Sequence, residues 1–276
     1  MNWFKTSVAV ILIIILLCPT EADARRRRQR VRTSFPTAVS ALLMDATHNR
    51  YYYAKAIDRQ VYPASTTKLL TVLLAAERLP LDQYVTVSER ATQVQPTKLE
   101  VRAGEQYKVR DLLYAALLKS ANDAVIVLAE AVAGSQAGFV ELMNERARKI
   151  GATHSHFANP HGLPSEGQQY TTARDMALIL KEALKNPFIQ KAITFKYRIL
   201  YSKDGRRHFL KSHNKALFLN WRKEVFGKTG YTNQAQSCFG GYFFKGDGMY
   251  IVAVFGCRKR WEDIKFIIER YGKVDL

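Results

Sequence analysis

The sequence predicts an α/β fold of the α+β kind: an antiparallel sheet assembled from both ends of the chain, flanked by helices, with a helical block inserted between its halves. Three observations carry this. Short strand-like runs lie near the start, apolar segments at helical spacing fill the middle, and two hairpin patterns followed by one helix close the chain.

The elements follow in order. Ser40–Met44 (SALLM) and Tyr51–Lys55 (YYYAK) read as two strands joined by the polar turn DATHNR. Thr66–Leu79 is a helix, because Leu69, Leu70, Leu73, Leu74 and Ala76 recur on one face. Arg110–Leu118 and Asp123–Val132 are apolar helices broken by KSAN. Gly138–Ile150 and Ala173–Leu184 are amphipathic helices separated by the turn-rich loop THSHFANPHGLPSEGQQYTT. Phe195–Tyr201 and His208–Leu210 flank Asp204-Gly205; Gly240–Phe244 and Tyr250–Phe255 flank Asp247-Gly248. Both read as hairpins. In the closing helix Trp261–Tyr271, the residues Trp261, Ile264, Ile267, Ile268 and Tyr271 share a face.

The length of 276 residues is ample for one large domain, and 47% apolar with 24% charged residues is a globular balance, which excludes a disordered or fibrous chain. The apolar run from Val8 to Leu17 is too short to span a bilayer, and Ala22-Asp23-Ala24 follows it as an A-x-A cleavage site. Residues 1–24 therefore read as a secretory signal, 25–36 as a basic arm and 37–276 as one domain. The six arginines of RRRRQRVR, residues 25–32, oppose export by their position; the export expectation rests on the chemistry below. A formal net charge of +18 draws polyanions. The tract Arg25–Arg32 reads first as a solvated arm, with weak attraction to anionic lipid or wall polymer and no specific nucleic-acid target. An uncleaved signal would be a second route to membrane association.

Cys238 and Cys257 remain beyond the signal. If Gly246 pairs with Met249, the two face each other across the strands, a spacing that suits a disulfide. Two free buried thiols are the equal alternative.

The chemistry begins at YPASTTKLLT. Ser65 and Lys68 are one helical turn apart and share a face, with Ser65 in the first turn, where free backbone N–H groups favour negative charge. A lysine serves as base only when neutral, which burial and a second cation promote. The S-x-x-K pattern occurs twice, at Ser65–Lys68 and Ser212–Lys215. So does S-x-N, at Ser120–Asn122 and Ser212–Asn214, whereas K-T-G occurs once, at Lys228-Thr229-Gly230. Ser65 opens an apolar helix, Ser120 sits in a helix break, and Lys228 leads into a strand. Ser212 lies in the polar stretch KSHNK and reads as coincidence. Taken alone, Ser65 and Thr66 could simply cap the helix; three motifs in this order favour catalysis. His154, His156 and His161 read as loop histidines, and no metal or cofactor is implied.

The three motifs, with LLYAALLKSANDA, FANPHGLP, YTTARDMA and GKTGYTNQA, resemble the low-molecular-mass penicillin-binding proteins, the serine-type D-alanyl-D-alanine carboxypeptidases of peptidase family S11, over residues from about 40 to 271. The resemblance implies a β-lactamase/DD-peptidase-like fold with an inserted all-helical subdomain, peptidoglycan stem peptides as substrate and β-lactams as covalent inhibitors. It implies that Ser65 is the nucleophile, Lys68 the base, and Ser120 the relay to the leaving amine. Asn122 would orient the substrate amide, and Lys228 and Thr229 would hold its terminal carboxylate. Gly230 would admit the substrate backbone, and the N–H groups of Ser65 and Tyr231 would form the oxyanion hole. Lys228 would keep Lys68 neutral, and Lys68 would face the substrate groove.

Class A β-lactamases use a glutamate in E-x-x-L-N; Glu166, in SEGQQY, does not match, so that activity ranks low. Gly227, directly before Lys228, departs from the pattern. D,D-endopeptidase or transpeptidase action on the same scaffold is the alternative, and a non-catalytic wall- or polyanion-binding protein the rival from another class.

Overall fold

The structure is a computed structural model that describes residues 35–165 and 168–276. The signal segment, the arginine tract and Glu166 lie outside the described residues.

A five-stranded antiparallel sheet organises the domain. Its strands are β1 (Ser40–Asp45), β2 (Arg50–Lys55), β7 (Phe226–Thr232), β8 (Gln236–Lys245) and β9 (Gly248–Cys257), in the order β2-β1-β9-β8-β7. The two ends of the chain thus meet at the β1–β9 pair, with Ser40 opposite Phe255 and Asp45 opposite Tyr250. β1 is buried throughout because both sheet faces are covered. Leu42 and Met44 pack with the helical block, while Ala41 and Leu43 pack with the closing helix α8 (Arg260–Ile267) through Ile264 and Ile267. The helix α8 continues as a wider π turn over Ile268–Gly272.

Between β2 and β7 lie the helices α1 (Lys68–Arg78), α2 (Glu89–Thr92), α3 (Val109–Tyr114), α4 (Asn122–Ala133), α5 (Gln136–Ile150), α6 (Ala173–Ala183) and α7 (Pro187–Ala192). Their ends follow local chemistry. Ser135 Oγ accepts from Gly138 N and opens α5; Thr172 Oγ1 accepts from Asp175 N and opens α6. Gly134 and Gly151, both at positive φ, close α4 and α5. Two ribbons accompany the helices: β3 (Tyr84–Thr86) with β4 (Gln106–Lys108), and β5 (Tyr197–Tyr201) with β6 (Arg207–Lys211). The second is the Asp204-Gly205 hairpin of the sequence. The first gives no alternation that three residues per strand could reveal. Among the described residues, no single helix is long and apolar enough to cross a membrane.

The β8–β9 hairpin corrects one expectation. Lys245 pairs with Gly248, so the turn residues are Gly246 and Asp247. Gly246 takes positive φ at the first turn position, as a tight II′-type hairpin requires. The register is therefore two residues away from a Gly246–Met249 pair. A bulge between Ser237 and Phe239 then sets Cys257 opposite Ser237, not opposite Cys238. Both thiols are buried and free. Burial pushes Cys238 up to about 12 and Cys257 higher still, so neither is a thiolate at neutral pH.

Candidate active site

Ser65 sits in a tight 3-10 turn, Ala64–Thr67, that leads directly into α1. The turn replaces the first α-helical turn expected from the sequence. Two neighbours fix it. Gly230 of β7 lies so close that a Cβ there would come within 3.0 Å of Ser65 N. Gly162 of the FANPHGLP loop lies closer still: a Cβ would fall 1.9 Å from the Ala64 carbonyl oxygen. Glycine is required at Gly162 by space and by its φ of +86°, while at Gly230 a Cβ would press tightly on the Ser65 turn.

Lys68 Nζ lies 3.0 Å from Ser65 Oγ, 2.6 Å from Asn122 Oδ1 and 2.7 Å from the His161 carbonyl oxygen. Its side chain is fully enclosed, at 0% exposure; it does not line an open groove. The two carbonyl oxygens can only accept. A neutral amine has two N–H bonds, which satisfy them, and one lone pair, which is then left for the Ser65 hydroxyl proton. Burial first, and the Lys228 charge second, hold Lys68 well below the usual lysine range, and Asp123 opposes them.

Each partner is itself held. Asn122 Nδ2 donates to the Gln95 carbonyl, and its backbone N–H to that of Thr97. The Asp123 carboxylate accepts from the backbone N–H groups of Leu99, Glu100 and Val101, tying that segment to the start of α4. Asn159 Oδ1 accepts from Gly162 N, and its Nδ2 donates to the Leu163 carbonyl, an Asx turn that presents the His161 carbonyl to Lys68.

A second serine–lysine pair faces the first. α3 runs into a π turn, Ala115–Lys119, which ends at Ser120 in the left-handed region, φ +62°. This break turns the hydroxyl toward β7, where Lys228 Nζ donates to Ser120 Oγ and to the Thr229 carbonyl, both at 2.8 Å. One N–H of the ammonium is left for a ligand. Burial and the nearby Arg260 bring Lys228 down to about 7. Both buried lysines thus lie below the ordinary lysine range.

β7 is an edge strand, with β8 on one side only. Lys228 and Thr229 are buried, whereas Tyr231 is 60% exposed. Gly227 has a local reason. A Cβ there would fall 2.5 Å from the Phe239 ring and 2.6 Å from Gly240 O, where β7 pairs with β8.

The structure thus brings together Ser65, Lys68, Ser120, Asn122 and Lys228, with the Thr229 carbonyl on Lys228 and Gly230 against Ser65 N, while Tyr231 follows Gly230 along β7 with an exposed ring. Ser212 and Asn214 stay outside and do structural work: Asn214 Nδ2 holds the Val225 carbonyl and its Oδ1 caps Ala216. Sequence reasoning missed four contributors. The His161 carbonyl carries no signal in the sequence, and the imidazole on the same residue is pushed down to about 3 by burial and Lys68. Asp123 looked like an ordinary first-turn acid. His213 lies beside the site, brought down to about 4 by burial and then by Lys228. Arg260, which donates to the carbonyls of Gly230 and Cys238 at 3.0 Å, has no motif around it. Among the described residues no group of three or more metal-ligating side chains occurs.

A serine hydroxyl 3.0 Å from a buried lysine amine, a second serine–lysine pair and an open strand edge are gathered in one place, an arrangement suited to acyl transfer. The chain belongs to the D-alanyl-D-alanine carboxypeptidase family of peptidases, S11, whose family model matches residues 28–259. It is 32% identical over 225 residues to D-alanyl-D-alanine carboxypeptidase DacF of Bacillus subtilis, covering 79% of this chain and 57% of that protein. It is 33% identical over 193 residues to DacB2 of Mycobacterium tuberculosis, covering 70% and 65%. The chain thus spans less than two thirds of either relative's length. A crystal structure of a D-alanyl-D-alanine carboxypeptidase from M. tuberculosis superposes with a TM-score of 0.81 at 27% identity, covering 87% of this chain and 94% of that one.

Proposed function

We propose that this protein removes the terminal D-alanine from peptidoglycan stem peptides through an acyl-enzyme on Ser65, and that penicillins acylate the same atom. The observation that carries the reading is the 3.0 Å contact between Lys68 Nζ and Ser65 Oγ, with the other amine contacts given to carbonyl acceptors. Ser65 Oγ attacks the carbonyl of the penultimate D-alanine while its proton passes to Lys68. The oxyanion takes the backbone N–H groups of Ser65 and Tyr231. The C–N bond breaks as a proton reaches the leaving amine through Ser120, which restores neutral Lys68. Lys228 and Thr229 hold the terminal carboxylate, Asn122 steers the substrate amide, and Gly230 leaves room for its backbone. Water then attacks the ester and gives a proton to Lys68, which passes it to Ser65 Oγ as the acyl C–O bond breaks and the shortened peptide leaves as a carboxylate.

This chemistry belongs outside the cytoplasm. Residues 1–24 therefore act as an export signal, cleaved or retained as an anchor, in the periplasm or extracytoplasmic envelope. The arm 25–36 adds weak attraction to anionic lipid or wall polymer.

The test is intact-protein mass after incubation with a penicillin, with Ser65→Ala as control. One covalent adduct on the wild type and none on the variant supports the reading; no adduct on folded wild type overturns it. Release of D-alanine from a stem peptide then separates carboxypeptidase from endopeptidase action.

A further inference from the structure

The second ribbon, β5 with β6, has two faces. Its inner face is covered: Leu200, His208 and Leu210 are buried. Polar contacts anchor it to the neighbouring ribbon. Tyr107 Oη and His208 Nε2 are 2.9 Å apart, Arg206 pairs with Glu105 at 3.0 Å, and Lys203 N donates to the Gln106 carbonyl. The ribbon is therefore a fixed part of the domain.

The outer face is apolar and open. The register sets Tyr197 opposite Lys211, Ile199 opposite Phe209 and Tyr201 opposite Arg207. Tyr197, Ile199, Tyr201 and Phe209 are 47%, 41%, 52% and 54% exposed. The Tyr197 and Phe209 rings stack with centroids 5.7 Å apart. An antiparallel ribbon with one face in water ordinarily carries polar residues on that face. Apolar side chains gathered there mark a surface that meets something other than water.

Charge narrows the choice. Lys196, Lys203, Arg207 and Lys211 are all exposed on the same ribbon or its ends. Among the described residues, none of these four pairs with a carboxylate. The one acid between residues 196 and 211 is Asp204, at the turn, where it accepts from Ser202.

Three occupants compete. A second copy of the chain would set these cations against their own kind. A soluble polyanion would meet the cations and leave four apolar side chains in water. An anionic lipid surface meets both: its phosphates face the cations, and its headgroup–acyl boundary takes aliphatic side chains and rings with a polar tip, as tyrosine has. We propose that the outer face of the β5–β6 ribbon docks on an anionic lipid bilayer. Tyr197, Ile199, Tyr201 and Phe209 enter the boundary, and Lys196, Lys203, Arg207 and Lys211 hold headgroup phosphates. This surface belongs to the folded domain, is separate in sequence from the arm 25–36, and does not depend on the catalytic reading.

The experiment uses the full chain with phosphatidylcholine vesicles, either pure or containing roughly one third phosphatidylglycerol. Hydroxyl-radical footprinting read by mass spectrometry reports each side chain by itself. With the anionic vesicles, Tyr197, Tyr201 and Phe209 are oxidised roughly threefold more slowly, while Tyr51 and Tyr62, exposed on other segments, keep their rates. Binding through residues 1–36 alone leaves the ribbon unprotected and overturns the proposal. Equal protection by pure phosphatidylcholine overturns it too, as does equal protection by soluble polyphosphate, which would make the face a polymer site. Ile199→Ser combined with Phe209→Ser removes the protection of Tyr197 and Tyr201; protection retained in that variant also overturns the proposal. If the variant fails to fold, the wild-type footprint decides alone.

Discussion

The Lys68 amine and the Asn122 carboxamide oxygen, 54 positions apart in sequence, lie 2.6 Å from each other at the centre of the site. With the His161 carbonyl, Asn122 takes up the N–H bonds of a neutral Lys68 and thereby orients its lone pair. Asn122→Ala therefore slows penicillin acylation by roughly tenfold or more, measured by stopped-flow or quenched mass spectrometry, while the melting transition persists. An unchanged acylation rate would refute the orienting role.

Gly162→Ala is a severe substitution at a residue packed against the Ser65 turn. The new methyl meets the Ala64 carbonyl at a positive-φ position. It displaces the Ser65 turn and the His161 carbonyl together. We expect a loss of about 2 kcal/mol or more in urea unfolding and about a hundredfold slower acylation.

Gly227→Ala acts on the opposite side of the site. Its methyl meets the Phe239 ring, Gly240 O and Gly241 Cα. A loss of about 1–3 kcal/mol follows from overpacking. Adding Phe239→Leu does not restore it, because two of the three contacts are backbone; recovery in the double variant would show that the ring alone was at fault.

The proposed mechanism uses the two lysines in opposite states, Lys68 neutral and Lys228 charged. Because Lys228 titrates at about 7, kcat/KM for a peptide with a free carboxylate falls above that pH. A peptide whose terminal carboxyl is amidated shows a weaker alkaline fall. Identical alkaline limbs for the two substrates would count against Lys228 as the carboxylate's partner.

Stability has the reverse trend. Both lysines titrate below the ordinary value of 10.5 when folded. Between about 7 and 10.5 the unfolded chain binds protons that the folded chain does not, so the unfolding free energy rises with pH and levels off above that range. Lys68→Met flattens part of this slope. A slope equal in wild type and variant would mean that Lys68 titrates normally.

Much of this architecture was legible. The helix around Leu69 and Leu73 and the closing helix around Ile264 and Ile267 announce themselves by periodicity, because each buries one face. The motif residues were legible by type and order. Contributions made by backbone were not: the His161 carbonyl belongs to the Asn159 turn, and nothing in a histidine's identity reveals where its carbonyl points. The β8–β9 register slipped because Lys-Gly-Asp-Gly offers two turns, and only the glycine at the first turn position distinguishes them. Arg260 was silent because its role arises from a β-strand thirty positions earlier in sequence.

The pairing of β1 with β9 has a consequence for biosynthesis. The same seam is locked by Thr37 N and Asp263 Oδ1, 226 positions apart. A ribosome must add roughly two hundred further residues before the first strand meets its partner, and such distant closures are slow. During that interval the chain stays an unclosed thread, the form in which a polypeptide can be passed through a narrow pore. The topology that frames Ser65 thereby also postpones its assembly until nearly the whole chain has been made.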